Sequence, residues 1–137
     1  GLMQVMPATA KWTAKKMGLP WRPDLLQERD TNLKIGATYL KWVLDDFGGS
    51  AALAAAAYNA GPGRPRRWRE GPELEAAIWA ENIPFNETRD YVKKVLSNAT
   101  IYAALLKQDA SPSLRQRLGS SIGPRDAKSA PINSELP

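Results

Sequence analysis

A run of small apolar residues in the middle of the chain restricts the possible folds more than any other feature. Seven consecutive residues, 51–57, are alanine or leucine, with no polar side chain among them. A helix that is apolar on every face has to be surrounded by protein rather than by water. The sequence therefore predicts a buried central helix here, with the other helices packed around it.

Both ends of this helix carry recognisable signals. Ser50 can cap the N-terminus, because its hydroxyl can accept a hydrogen bond from a backbone N–H of the first turn. Gly61 and Pro62 end the helix, because glycine admits the left-handed conformation and proline cannot continue the backbone hydrogen bonds. Tyr58 and Asn59 then fall on the last turn, at the rim of an apolar core. This is where a binding cleft obtains its few polar groups.

Apolar periodicity predicts further helices around the central one. They are expected over residues 7–17, over a segment that Asp30 caps and that stops at Gly48, over residues 72–80, and from an Asn86 cap to residue 106. In the second of these, the inward positions are expected to be Leu33, Ala37, Leu40, Val43, Leu44 and Phe47. The arginine-rich residues 64–69 are interpreted as a solvated loop, with an anion contact as the second interpretation and nucleic-acid binding as the third. The predicted fold class is all-α.

The composition excludes several kinds of chemistry. The chain contains neither Cys nor His, which removes thiol nucleophiles, imidazole bases, disulfides and the commonest ligands of transition metals. Any chemistry has to come from carboxylates, tyrosine, amides or lysine, and no cofactor or metal is expected. The net charge of +5 favours acidic partners such as nucleic acid, an anionic membrane surface or an anionic cell-wall polymer.

The length of 137 residues allows one domain with a substantial core, which we expect over residues 1–108. Beyond it Ser and Pro recur and apolar residues become sparse. The segment 109–137 is therefore expected to be mostly disordered, since it cannot bury enough surface to offset its chain entropy. No apolar run approaches the roughly 20 residues of a bilayer span, so we expect no membrane span in this chain. The oligomeric state is left open.

Three separated segments together resemble one family. They are Gly1-Leu2-Met3-Gln4-Val5-Met6-Pro7, Ala57-Tyr58-Asn59-Ala60-Gly61-Pro62-Gly63-Arg64 and Asn82-Ile83-Pro84-Phe85-Asn86-Glu87-Thr88-Arg89-Asp90-Tyr91-Val92. In this order they are similar to the catalytic domain of the soluble lytic murein transglycosylases, the goose-lysozyme-like SLT family of Gram-negative bacteria. The resemblance covers about residues 1–106. It implies a lysozyme-like helical domain and a location in the periplasm or cell envelope.

The resemblance also implies a reaction on peptidoglycan. The family cleaves the β-1,4 bond between N-acetylmuramic acid and N-acetylglucosamine without water and leaves a 1,6-anhydromuramic end. One glutamate first protonates the glycosidic oxygen and then accepts the proton of the muramic 6-hydroxyl. That glutamate lies in a Glu-Ser motif upstream of the segment that matches Gly1–Gln4, so we expect it outside this chain. The 137 residues alone are accordingly expected to be inactive.

The resemblance assigns five residues to the cleft. Tyr58 matches the tyrosine that faces the catalytic glutamate near the scissile bond, and it is the one catalytic candidate in this chain. Met3 and Gln4 match positions that line the substrate groove. Asn59 belongs to the tyrosine motif, and Glu87 matches a glutamate that contacts substrate.

Two other functions remain open from the sequence. The first is a peptidoglycan-binding module that has lost its acid and is no longer catalytic. The second is a small basic helical domain that binds nucleic acid through residues 64–69, which would bind duplexes with a steep salt dependence. The resemblance to the transglycosylases favours the enzyme, with glycan strands of peptidoglycan as the partner and with no nucleic acid.

Overall fold

The computed structural model of the chain describes residues 6–105, 121–126 and 132–137, without the side chains of residues 26 and 99–105. The described elements are α1 (Pro7–Lys16), a short 3-10 helix (Pro23–Gln27), α2 (Arg29–Asp46), α3 (Ala51–Ala60), α4 (Gly63–Trp68), β1 (Leu74–Glu75), α5 (Ala76–Glu81), α6 (Asn86–Leu105) and β2 (Ser121–Ile122). The predicted all-α fold class is confirmed, because the described residues form helices apart from one two-stranded sheet of two residues a strand. No helix of the described residues has the length and hydropathy needed to cross a bilayer.

Helix α3 lies at the centre of the domain. Its residues 52–57 are all buried, and it packs against α6, α2 and α4. The hydroxyl of Ser50 accepts a hydrogen bond from the backbone N–H of Leu53 at 3.2 Å. Gly61 adopts φ +86°, and its N–H donates to the carbonyl of Ala57 at 2.8 Å. The buried centre and both predicted ends of this helix are confirmed.

The buried face of α2 differs from the prediction. Val43 and Phe47 are buried as predicted, and Ile35 and Tyr39, which were not predicted, are buried too, so these buried residues lie at successive four-residue intervals. Leu33 is 45% exposed, so its predicted inward position is wrong; the inward position of Ala37, which is also exposed, is wrong too. The reason is that α2 packs against α3 and α1, and these two helices cover only a narrow stripe of its surface.

The N-terminus of α2 also lacks the predicted cap. The helix begins at Arg29, with Glu28 in the capping position and no side-chain hydrogen bond to the first turn. Asp30 therefore lies inside the first turn, where its charge still interacts favourably with the helix dipole. The prediction of the helix was correct, and the prediction of its cap was wrong.

Residues 64–69 form most of a helix rather than a solvated loop. Pro65 is compatible with α4 because it lies in the first turn, where its missing N–H has no partner within the helix. Two of the arginines are anchored to other parts of the chain. Arg66 Nη2 donates to Asp46 Oδ2 at 2.8 Å, and Arg69 Nε donates to the carbonyl of Gly123 at 2.9 Å. Neither contact can be recognised from the neighbouring sequence. The interpretation of these residues as a solvated loop was therefore wrong.

Parts of the segment expected to be disordered pack against the domain. Strand β2 pairs antiparallel with β1, with Ile122 opposite Leu74, and this pairing replaces the first turns of the helix predicted over residues 72–80. Ile122 is 1% exposed and Leu136 is 6% exposed. Two apolar residues of the segment are thus buried, although Ile132 is 42% exposed, and this burial is more than the sparse composition predicted. The predicted boundary at residue 108 lies outside the described residues and stays a prediction.

Candidate functional site

An open cleft of about 860 Å³ lies where α3 ends. Helices α1, α2 and α6 and the segment 132–137 complete its walls. The lining residues are Met6, Pro7, Thr9, Asn32, Tyr39, Ala57, Tyr58, Asn59, Ala60, Gly61, Arg64, Glu87, Tyr91 and Pro137. The structure thus brings Tyr58, Asn59 and Glu87 to one concave surface, although Glu87 comes from another helix. Met3 and Gln4 lie outside the described residues, so their place in the groove stays a prediction.

Tyr58 carries the most unusual group of the cleft. Its hydroxyl is buried and has no hydrogen-bond partner among the described residues. Burial, and secondarily the neighbouring phenols of Tyr91 and Tyr39, raises the pKa of Tyr58 to about 12. The phenol is therefore neutral at physiological pH and can both donate and accept a hydrogen bond. Because a buried polar group without a partner costs free energy, a ligand oxygen placed here would recover that cost.

Tyr39 supports Tyr58 from the side and was not predicted as a site residue. The centroids of the two rings are 5.8 Å apart. The hydroxyl of Tyr39 donates to the carbonyl of Pro137 at 2.7 Å. Burial raises the pKa of Tyr39 to about 12, against a smaller lowering effect of Arg66. Its hydroxyl is thus already engaged, whereas the hydroxyl of Tyr58 has no partner among the described residues.

Asn59 faces the cleft but is held by a residue that the sequence analysis overlooked. Thr88, which is 2% exposed, donates from its hydroxyl to Asn59 Oδ1 at 2.7 Å. This bond ties the last turn of α3 to the first turn of α6. The available signal was the position of Thr88 four residues before the buried Val92, on the same face of α6.

A guanidinium fastens the start of α6 to the loop before it. Arg89 Nη1 donates to the carbonyl of Ile83 at 3.1 Å, and its Nη2 donates to Asn86 Oδ1 at 2.6 Å. Asn86, predicted to cap α6, is instead its first residue, and its side-chain oxygen accepts from Arg89. These contacts hold the turn that presents Glu87 to the cleft.

Two charges of opposite sign line the described part of the cleft. Glu87 lies in the first turn of α6, and its side chain is exposed. Arg64 donates from Nη1 to the carbonyl of Ala60 at 2.7 Å, which satisfies one of the free carbonyls at the end of α3. Its guanidinium carbon lies 4.6 Å from the ring centroid of Phe85. The cleft therefore has little net charge along its described walls.

These groups suit recognition of a polyhydroxylated ligand. Phenol, amide, carboxylate and guanidinium groups together can donate to and accept from sugar hydroxyls and acetamides. Glu87 is the single carboxylate among the described lining residues, so this part of the cleft lacks the paired carboxylates of most glycosidases. Within the described ranges, no group of His, Cys, Asp and Glu side chains is arranged to hold a metal ion.

Comparisons with known proteins identify the family of this chain. A family model described as the transglycosylase SLT domain matches residues 1–79, and one described as the soluble lytic transglycosylase helical domain matches residues 82–111. The chain is 46% identical over 112 residues to a soluble lytic murein transglycosylase of Salmonella typhimurium, a match that covers 79% of this chain and 17% of that protein. It is 44% identical over 106 residues to the Escherichia coli enzyme of the same name, covering 74% of this chain and 16% of that protein.

Two solved structures are similar to the structure of this chain. An inactive mutant of the lytic transglycosylase Slt from Pseudomonas aeruginosa, in which glutamine replaces a glutamate, superposes with a TM-score of 0.70 at 48% identity, over 82% of this chain and 19% of that chain. The 70 kDa soluble lytic transglycosylase of Escherichia coli superposes with a TM-score of 0.69 at 39% identity, over 85% of this chain and 20% of that chain. The chain thus spans less than a fifth of the length of the curated relatives it matches.

Proposed function

Because this chain belongs to the transglycosylase SLT domain family, we propose that its cleft is the glycan-binding part of a peptidoglycan lytic transglycosylase. The proposed substrate is the β-1,4-linked strand of N-acetylmuramic acid and N-acetylglucosamine. The observation that carries the proposal is the buried hydroxyl of Tyr58, without a partner among the described residues, on the helix end that opens into the cleft. The identity of 44–46% to soluble lytic murein transglycosylases supports it.

The proposed reaction breaks one bond and forms another without water. A general acid gives its proton to the glycosidic oxygen as the bond from that oxygen to C1 of the muramic residue breaks. The resulting carboxylate then takes the proton of the muramic 6-hydroxyl, whose oxygen bonds to C1 and closes the 1,6-anhydro ring. Both proton transfers need the sugar held within hydrogen-bond reach of the acid.

The described residues contribute to binding and orientation in this proposal. The hydroxyl of Tyr58 donates a hydrogen bond to an oxygen of the sugar next to the scissile bond. Asn59, positioned by Thr88, and Glu87 hold neighbouring sugar hydroxyls and acetamides from either side. Since the phenol of Tyr58 is neutral below a pH of about 12, it keeps its donor through the physiological range.

We further infer that the general acid comes from outside the described cleft. Glu87 is the single described carboxylate there, and the 137 residues contain no Glu-Ser pair. The relatives are several times longer than the match, and the Pseudomonas structure is an inactive mutant at one glutamate. Since peptidoglycan lies in the cell envelope, the proposal locates the protein in the periplasm or envelope of a Gram-negative bacterium.

The test compares Tyr58→Phe with the unchanged protein in its complete natural form. Release of 1,6-anhydromuropeptides from purified murein should fall by roughly ten- to a thousand-fold, which is the range for one catalytic hydrogen bond. The melting temperature should change little, because the ring still packs. Tyr39→Phe is the matched control: its hydroxyl is bonded to Pro137, so release per folded molecule should stay within a few-fold.

Two results would contradict the proposal. Equal release from Tyr58→Phe and the unchanged protein would remove the phenol from the reaction. Binding of murein by the complete protein without any anhydro product would favour a binding module instead. If the 137 residues alone release anhydro products, the acid lies within them, and Glu87→Gln becomes the next variant to measure.

A further inference from the structure

A second cavity, of about 500 Å³, lies beside α1 and α2. Trp12 and Lys16 line it from α1, and Trp42 and Asp45 line it from α2. We call it the tryptophan pocket. The two indole rings are nearly perpendicular, with an interplanar angle of 87° and centroids 5.8 Å apart. The edge of one ring therefore points toward the face of the other.

Ion pairs hold the third wall of the tryptophan pocket in place. Asp46, whose side chain is 6% exposed, pairs with Arg66 at 2.8 Å and accepts the backbone N–H of Asn133 at 2.7 Å. Lys16 Nζ lies 3.1 Å from Glu135 Oε2. The segment 132–137 is thus fastened to α1 and α2 on both sides of the pocket.

The remaining polar groups indicate the chemistry of a ligand. Arg66 compensates Asp46 and Lys16 compensates Glu135, which leaves the exposed carboxylate of Asp45 as the uncompensated charge among the described lining residues. An anion would be repelled by it, and a cation would compete with Lys16, whose ammonium already lies 5.8 Å from the Trp12 centroid. A neutral sugar fits both constraints. Its C–H face can pack on an indole, while its hydroxyls donate to the carboxylate.

The tryptophan pocket lies beside the same two helices as the cleft, although the two have no lining residue in common. Helix α1 lines the cleft at Thr9 and the pocket at Trp12, and α2 lines the cleft at Tyr39 and the pocket at Trp42. Three residues of helix correspond to a rise of about 4.5 Å, which is less than two sugar rings. Along these helices, the spacing between the cleft and the pocket is thus within the length of a short glycan strand.

We propose that the tryptophan pocket is an additional binding site for a neutral pyranose unit of a glycan strand. The choice of a glycan strand over a free sugar rests on the proposed function. The site raises the affinity for the strand and takes no part in the reaction, because Trp12, Trp42 and Asp45 do not line the cleft that contains Tyr58.

The test is an NMR titration of the ¹⁵N-labelled chain with the neutral oligosaccharide chitotetraose. The indole N–H signals of Trp12 and Trp42, assigned from their Phe variants, should shift. The indole of Trp79 donates to the carbonyl of Trp68 at 3.1 Å and is 4% exposed, so its signal should stay in place and serves as an internal control.

Three variants make the result specific. Asp45→Ala should weaken chitotetraose binding at the two indoles by about tenfold, since a hydrogen bond to a charged group is lost. Asp30→Ala removes an exposed carboxylate from the first turn of the same helix and should leave binding unchanged. Tyr58→Phe removes a hydrogen bond in the cleft, so the titration midpoint should rise, whereas at saturating chitotetraose the indole signals of Trp12 and Trp42 should still shift.

Several outcomes would overturn the inference. These are a titration that moves neither indole signal, wild-type affinity in Asp45→Ala, and shifts caused by tetramethylammonium but not by chitotetraose. The proposed function is tested separately by anhydromuropeptide release. Indole shifts with no release by the complete protein would support this site and contradict the proposed function, whereas release without indole shifts would do the reverse.

Discussion

The hydrogen bond between Thr88 and Asn59 offers a direct test of how the cleft is positioned. Thr88→Val replaces the hydroxyl by a methyl group of similar shape and removes the donor to Asn59 Oδ1, now 2.7 Å away. Thr88 is 2% exposed, so the new methyl group remains packed. The substitution therefore isolates the hydrogen bond from the packing of α6 on α3.

The expected cost follows from where each partner lies. Leaving one partner of a buried hydrogen bond unpaired costs about 1–3 kcal/mol. Asn59 lines the open cleft, so after Thr88→Val its carbonyl can turn to water, and we expect the lower part of that range. Asn59→Ala instead leaves the enclosed hydroxyl of Thr88 unpaired, and we expect the upper part. At about 4 °C per kcal/mol for a domain of this size, the melting temperatures should fall by roughly 4–6 °C and 8–12 °C.

Thermal and urea unfolding of the two single variants and the double variant measure this coupling. The double variant should lose less stability than the sum of the single losses, by about 1 kcal/mol, because both remove the same bond. Additive losses would show that the hydroxyl and the amide do not act together. In the complete protein, Thr88→Val should also lower murein turnover several-fold if Asn59 positions the sugar, and unchanged turnover would refute that part of the reasoning.

Three further predictions concern stability. Burial raises the pKa of Tyr39 and of Tyr58 to about 12, whereas an unfolded phenol ionises near pH 10. Because the unfolded state loses these protons first, the contribution of the two phenols to urea stability should be constant below about pH 10 and should fall between about pH 10 and 12. A flat stability profile between these pH values would contradict the burial. Ala56→Leu adds volume at a fully buried position of α3 and should cost about 1–3 kcal/mol or more, which wild-type melting would disprove. Ile122→Ala should cost about 2–5 kcal/mol, and a loss below about 0.5 kcal/mol would show that β2 contributes no packing.

The parts of the fold that could be predicted are those set by neighbouring residues. The cap at Ser50 and the left-handed Gly61 are local signals, and an apolar run such as residues 52–57 must be buried whatever surrounds it. The buried stripe of α2 could not be derived in this way. Which apolar face turns inward depends on the shape of α1 and α3. Val43 and Phe47 fit both the predicted and the observed face, and the sequence does not show that Ile35 rather than Leu33 shares their face.

The candidate site shows the same division. Tyr58 and Asn59 were predicted as cleft residues because both follow from the end of one helix. Thr88 and Tyr39 were missed because their roles depend on partners 29 and 98 residues away in the sequence. A threonine on a helix face or a tyrosine in an apolar series carries no local sign of such a distant partner.

The four arginines of residues 64–69 show why a charge cluster in sequence is weak evidence for a charged surface. Arg64 lines the cleft, whereas Arg66 pairs with Asp46 and has a side chain that is 22% exposed. Arg69 is fixed to the carbonyl of Gly123, and burial lowers its pKa from the ordinary value. Only part of this charge therefore faces water, and the exposed part is divided between the cleft and the outer side of α4. Since the salt dependence of duplex binding grows with the number of phosphates neutralised together, this division weakens the nucleic-acid interpretation. Arg64 instead lines the same cleft as Glu87, where the proposed glycan strand would bind.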